Sequence, residues 1–270
     1  MKYIINILLI VVATGCLGRT QPEQRSAVDL HIIDSLALMY KEHGRLKSAN
    51  GDKRGAIEDY TKAIEIDPNY VTAYYNRAIV KSTIGDKKGA VKDYTKVIEL
   101  DSLKSGAYYG RGNARAFLGD TKGGIADLTK VIEIDPKDVD AYVSRGVIKY
   151  EAGNLEGEIS DYRLAIENHC EPNADIYNNL GRALYDLERF KESAEAYGEG
   201  IKYFPEDYRL YYGRGLARKR TGDKKGACED WMKSSELGCI QANMLLPLCE
   251  EYIQEKNDSL KRQNERNDEE

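Results

Sequence analysis

Hydrophobic and polar positions alternate with the spacing of amphipathic helices along most of the chain, and small residues recur among them. The interval between these small residues is 34, with one interval of 35. They are Gly44, Ala78, Gly112, Gly146, Gly181 and Gly215. A second series of glycines marks turns: Gly51, Gly85, Gly119, Gly153 and Gly222. A fixed period of this length predicts stacked copies of one supersecondary unit.

Each period predicts two helices separated by a Gly-Asp or Gly-Asn turn. The second helix often closes on a proline-containing motif, such as "IEIDP" at 64–68 and 132–136, and proline ends a helix because it cannot donate the next backbone hydrogen bond. An aromatic residue recurs in the first helix. These residues are Tyr40, Tyr74, Tyr108, Tyr142, Tyr177 and Tyr211.

This pattern closely resembles the tetratricopeptide repeat, a family whose units combine such aromatic, small and proline positions. The resemblance implies an all-α, right-handed α-solenoid of six repeats with a C-terminal capping helix. Glu158 departs from the family at a position for a small residue, and Ser102 and Cys170 replace prolines. The expected solenoid covers 28–241, with repeats at 37–70, 71–104, 105–138, 139–172, 174–207 and 208–241. A cap at 240–256 and a polar tail at 257–270 follow.

Four repeats carry an arginine in the first helix and an aspartate sixteen residues later. The pairs are Arg77 with Asp93, Arg111 with Asp127, Arg145 with Asp161, and Arg214 with Asp230. The fifth repeat has Leu180 and Ala196 at these positions, so both charges disappear together. We therefore expect a structural ion pair between the two helices of a repeat. Solvated surface charge is the alternative, and His43 is expected to replace the arginine opposite Asp59 in the first repeat.

The family resemblance implies that the first helices line a concave groove. The residues expected there are Tyr75, Tyr109, Asn113, Tyr150, Arg182, Tyr185, Tyr212 and Lys219. Tyrosine provides a large contact area and a hydrogen bond at a low entropic cost, which suits an extended peptide or a partner helix. Some of these tyrosines are alternatively expected to pack between repeats.

The first residues have the composition of an export signal. A basic Lys2 precedes an apolar run, and "ATG" stands directly before Cys16. This arrangement resembles a bacterial lipoprotein signal, which implies a signal peptide at 1–15, acylation of Cys16 and a flexible tether at 16–27. A plain secretory signal is the alternative. With no acidic residue directly after Cys16, the resemblance implies attachment to the outer membrane, with the protein facing the periplasm.

Charge and motif content argue against nucleic-acid binding and against catalysis. The net charge is -5, and acidic and basic residues are interspersed. His31, His43 and His169 lack a metal-ligand spacing, and no phosphate loop or nucleophile motif occurs. We expect neither an enzyme nor a bound cofactor or metal.

Four cysteines follow Cys16. Cys228 and Cys249 lie symmetrically about a predicted helical turn at 238–239, so they could form a disulfide, as an exported protein allows. Pro247 disturbs this register, and free buried thiols are the alternative.

These features predict a lipid-anchored scaffold of the bacterial envelope that binds a peptide or protein partner. Similar plans occur in a lipoprotein of the outer-membrane barrel assembly machine, in pilotins of pilus secretins and in adaptors of peptidoglycan hydrolases. The first alternative is a structural or regulatory subunit of an envelope complex that self-associates into a homo-oligomer. A hydrolase of envelope polymers is the second.

Overall fold

A computed structural model describes residues 27–168, 173–250 and 252–254, with side chains from residue 33 onward. The predicted signal peptide, Cys16, Cys170, His169 and the polar tail lie outside the described residues. No strand occurs in the part of the chain that is described, so the fold class is all-α as predicted.

Twelve long helices of 13 to 23 residues follow one another in the described ranges. They are α1 Ala27–Ala49, α2 Lys53–Ile66, α3 Val71–Thr83, α4 Lys87–Leu100, α5 Ser105–Phe117, α6 Thr121–Ile134, α7 Val139–Glu151, α8 Leu155–Glu167, α9 Ala174–Asp186, α10 Phe190–Tyr203, α11 Tyr208–Arg220 and α12 Lys224–Glu236.

The chain divides into two compact units, Met1–Ala107 and Tyr108–Glu270, with the boundary inside α5. In the first unit, α1 packs on α2, α2 on α3 and α3 on α4. In the second unit the same holds from α6 to α12. Within each unit the helices therefore pack in sequence, so each repeat buries its apolar face mainly against its neighbours.

The start of the second helix is encoded locally in five of the six repeats. Asp52, Asp86, Asp120, Asn154 and Asp223 each accept a hydrogen bond from the backbone N–H three residues later. Such caps satisfy a helical N–H that has no partner within the helix. The glycine before each cap has a positive φ, for example 77° at Gly153, a conformation that costs glycine little. The fifth repeat has Glu188 there instead, with φ 59°.

The small residues of the first series allow the two helices of a repeat to approach closely. A Cβ at Gly215 would lie 2.5 Å from Nε1 of Trp231. A Cβ at Gly112 would lie 3.1 Å from the carbonyl oxygen of Gly124. Only glycine avoids these collisions without a shift of the partner helix.

The closing segment is helical but is divided, which corrects the single helix expected at 240–256. A short helix α13, Ile240–Asn243, precedes a 3₁₀ helix at Leu246–Cys249. Pro247 lies at the start of the 3₁₀ helix, where its missing N–H breaks the α-helical bonding pattern. A disulfide joins Cys249 to Cys228 of α12, while Cys239 is a buried free thiol.

Candidate partner-binding surface

Each of the four arginines noted in the sequence binds its aspartate through two nitrogens. In the second repeat, Nε and Nη2 of Arg77 both donate to the Asp93 carboxylate at 2.8 Å. Arg145 donates to Asp161 at 3.1 and 2.6 Å. Arg111 with Asp127 and Arg214 with Asp230 have the same two-nitrogen geometry. The aspartates are buried, so these contacts fix the docking of the two helices in a repeat.

Two further partners of these pairs were missed by the sequence reasoning. A second cation, four residues after the arginine, also contacts the aspartate, as Lys149 contacts Asp161 at 2.8 Å. A threonine of the preceding repeat accepts from Nη1, at 2.9 Å for Thr61 with Arg77 and 2.8 Å for Thr129 with Arg145. The two threonines lie 68 residues apart, twice the repeat length, which was a visible signal. Arg77 and Arg145 therefore each link three helices.

The first repeat differs from the expectation. Asp59 is paired with Lys47, whose Nζ lies 2.7 Å from Oδ2, and not with His43. His43 is exposed. The longer lysine, four residues further along the same helix, replaces the arginine because it reaches the buried carboxylate.

Burial and pairing have opposite effects on the pKa of Asp230. Burial raises the pKa of Asp230 above its ordinary value, although hydrogen bonds from Arg214 and charge from Arg218 act in the opposite direction. A carboxylate held by two guanidinium groups has no open position for a reacting atom. The role of this carboxylate is therefore structural.

The fifth repeat has an apolar contact where its neighbours have the ion pair. Leu180 and Ala196 are buried there. Nearby, the carboxylate of Glu158 in the preceding repeat is fully buried and accepts from Nη2 of Arg182 at 3.1 Å and from the Tyr162 hydroxyl at 3.2 Å. Burial raises the pKa of Glu158, and the charge of Arg182 partly offsets this.

Three of the predicted groove tyrosines contribute to packing. Tyr75 lies edge-on to Tyr94, with ring centroids 6.0 Å apart. The hydroxyl of Tyr109 lies 3.0 Å from Oγ of Ser144 in the next repeat. Tyr212 packs against the cluster that contains the disulfide. These residues are partly buried, as is Asn113, and each tyrosine already has a packing partner within the fold.

The other predicted groove residues reach the surface of the second unit. The Arg182 guanidinium lies 4.6 Å from the Tyr150 ring centroid, and Tyr150 is 39% exposed. The ring of Tyr185 lies edge-on to Phe190 at 5.1 Å. Arg220 lies over Phe190 at 4.1 Å and over Tyr185 at 5.8 Å. We call Tyr150, Arg182, Tyr185, Phe190 and Arg220 the arginine–aromatic surface.

Lys219 lies next to this surface and is exposed, with its Nζ 5.7 Å from the Trp231 ring. Phe190 and Arg220 were not among the predicted site residues. Arg220 occupies a groove position of the family pattern and could have been found from the sequence. Phe190 opens the second helix of its repeat, a position that the pattern does not assign to the groove.

Family models describe the same repeats. The model "TPR repeat" matches residues 44–85, and two models of the tetratricopeptide repeat match 71–102, 109–169 and 178–236. These matches together cover more than half of the chain. The chain belongs to the tetratricopeptide-repeat family.

Several solved structures of other proteins share this fold. The C-terminal part of a TPR repeat-containing protein from Cytophaga hutchinsonii aligns with a TM-score of 0.64 at 19% identity, covering 73% of this chain and 78% of that one. PilF of Pseudomonas aeruginosa gives 0.60 at 16% identity, over 79% and 97% of the two chains. YrrB, described as a TPR protein with an unusual peptide-binding site, gives 0.54 at 21% identity, over 66% and 92%. No curated protein matches the chain.

Two features are absent from the described residues. No group of three or more His, Cys, Asp or Glu side chains within them is arranged to hold a metal ion. None of their helices combines the length and the apolar character needed to cross a membrane.

Proposed function

We propose that this protein is an interaction scaffold of the bacterial cell envelope that binds a peptide or protein partner on the first helices of its repeats. The tetratricopeptide-repeat fold supports an interaction role, and a peptide-binding site is described for the similarly folded YrrB. Recognition, rather than catalysis, is the mechanism.

One observation in α7 carries this proposal. Tyr142 near the start of the helix is 2% exposed, whereas Val147 and Tyr150 in its second half are 36% and 39% exposed. Residues three apart on a helix share a face, so Val147 and Tyr150 form an apolar strip beside Arg182. An aromatic and an aliphatic side chain next to a guanidinium group form the kind of anchor surface that protein partners use.

Site-specific photocrosslinking in cells tests the proposal. A photoreactive phenylalanine analogue at Tyr150 or Tyr185 is expected to give adducts with one main partner. The control is the same analogue at Tyr203, which is 56% exposed but lies at the end of α10, outside the surface. Equal adducts at all three positions, or none at Tyr150 and Tyr185, would contradict the proposal. Adducts of the chain only with itself would favour the self-associating alternative.

The membrane anchor is a separate part of the proposal, supported by the residues around Cys16. Several acyl chains, each adding about 0.8 kcal/mol per buried methylene, would hold the protein stably on a membrane. Fatty-acid labelling of the full chain is expected, and Cys16→Ala should remove it and release the protein from the membrane fraction. Unlabelled wild-type protein would exclude the anchor and leave the docking proposal intact.

A further inference from the structure

Arg182 and Arg220 differ from the structural arginines in how many hydrogen-bond donors they use within the fold. Arg145 donates through three nitrogens to fixed acceptors. Arg182 donates to one described oxygen, that of Glu158. Arg220 lies 3.9 Å from a carboxylate oxygen of Glu188, beyond hydrogen-bond length, and donates no hydrogen bond to another described side chain. A guanidinium group has five N–H donors, so both residues retain unused ones.

The two guanidinium groups are held in place by aromatic rings. The side chains of Arg182 and Arg220 are 39% and 47% exposed, yet each lies over a ring, at 4.6 Å from Tyr150 and 4.1 Å from Phe190. Such stacking occupies the face of the guanidinium plane and leaves its N–H edge available to an incoming carboxylate. The rings also reduce the side-chain entropy that binding would cost.

Glu188 adds a second, independent observation. It takes the position at which the turns of five other repeats have glycine, with φ 59°, a conformation that costs a residue with a side chain roughly 1 kcal/mol. Its side chain is 79% exposed, and its ion pair is the long contact with Arg220. Glu188 thus places an exposed carboxylate near Arg220 in spite of this backbone cost. Its long contact neutralises the charge of Arg220 only weakly.

We propose that the arginine–aromatic surface binds an acidic segment of a partner, with carboxylates on Arg182 and Arg220 and apolar atoms against Tyr150, Tyr185 and Phe190. This inference rests on the proposed function and names the ligand class. A partner carboxylate makes the charge-assisted bonds to Arg220 that Glu188 does not make. Lys219 adds positive charge. Exposed acidic residues also lie close in sequence to the surface residues: Glu151, Asp186 and Glu188. Because the chain as a whole is negative, the attraction is local.

Selection from a phage library of random twelve-residue peptides on the immobilised full chain tests the inference. We expect the selected peptides to be enriched in Asp and Glu next to aromatic or aliphatic residues. Arg220→Gln should weaken the best peptide about tenfold, as loss of one charge-assisted contact predicts. Arg209→Gln is the matched control, because Arg209 is similarly exposed but pairs with Asp175 and Asp207 away from the surface.

The outcomes separate the two proposals. Selected peptides without acidic enrichment, or equal weakening by Arg209→Gln, would overturn the acidic ligand while leaving peptide binding intact. Failure to select any peptide would count against both. Arg182→Gln leaves Glu158 buried with a weaker partner, so its affinity is measured together with its thermal midpoint. The double variant Glu158→Ala/Arg182→Gln, which removes that buried charge, should show the same loss of acidic preference.

Discussion

The fifth repeat and its two neighbours in the second unit solve the same packing problem differently. The fourth and sixth repeats fix their helices with Arg145–Asp161 and Arg214–Asp230, buried charge pairs with two-nitrogen geometry. The fifth repeat uses Leu180 and Ala196, and its second helix follows Arg189, whose side chain makes no capping hydrogen bond. The fold therefore does not depend on the charge pair in every repeat, since apolar residues can take its place.

The fifth repeat instead places charge at the surface. Arg182 lies one helical turn before Tyr185, and Glu188 follows in the turn. A buried pair adds specificity of docking rather than much net stability, because desolvation offsets its attraction. The comparison teaches that arginines buried against aspartate serve the fold, while exposed arginines that lie over aromatic rings keep donors available to a partner.

The largest expected effect comes from breaking one pair. Arg145→Leu leaves Asp161, which is 1% exposed, with Lys149 as its remaining cation. Removing one partner of a buried ion pair costs about 3–5 kcal/mol, so the urea midpoint should fall markedly. The double variant Arg145→Leu/Asp161→Ala, with the residues of the fifth repeat, should recover most of the loss. A double variant as unstable as the single one would contradict the comparison.

The sixth repeat has a covalent link that the fifth repeat lacks. Reduction of Cys228–Cys249, which are separated by 21 residues, should cost about 3 kcal/mol on the loop-entropy model. We expect hydrogen exchange of α12 to accelerate more than that of α10. Cys239→Ser is the control for the free thiol that lies in the described part of the chain. Equal acceleration in both helices would show that the disulfide does not act locally.

A smaller gain is expected from restoring the common turn. Glu188→Gly should raise the unfolding free energy by roughly 1 kcal/mol, because glycine adopts φ 59° without strain. The opposite change, Gly153→Ala at φ 77°, should lower it by a similar amount. Thermal midpoints of both variants provide the measurement. No gain for Glu188→Gly would remove the argument that this position carries a backbone cost.

The smallest effect concerns the buried Glu158. Burial raises its pKa above the ordinary value of 4.5, so the folded state holds its proton more tightly than the unfolded state does. Its contribution to stability is therefore present below that ordinary value and is lost as the pH rises through the raised pKa. Glu158→Gln mimics the protonated form and should be slightly more stable than the wild type near pH 7, because it removes the cost of burying the charged carboxylate. The difference should vanish near pH 4, and a constant difference would exclude titration as its cause.

The sequence predicted the fold because a residue pattern with a fixed period indicates contacts that recur in each repeat. Glycines every 34 residues predict where helices approach, and the joint loss of arginine and aspartate in the fifth repeat indicated that the two are partners. The sequence showed that Pro247 would disturb the closing helix. It did not show that the segment would divide into α13 and a 3₁₀ helix, because that depends on the relative stability of two short helices. The surface was harder to predict, because periodicity does not distinguish a tyrosine that packs, such as Tyr109, from one that is exposed, such as Tyr150.

Hydrogen exchange of the full chain, with and without a selected peptide, tests the central claim most directly. We predict slower exchange in the second half of α7, in α9 and at the end of α11, where the arginine–aromatic surface lies, and no change in α2. Protection confined to other helices, or spread evenly over the chain, would contradict a docking surface at the fifth repeat.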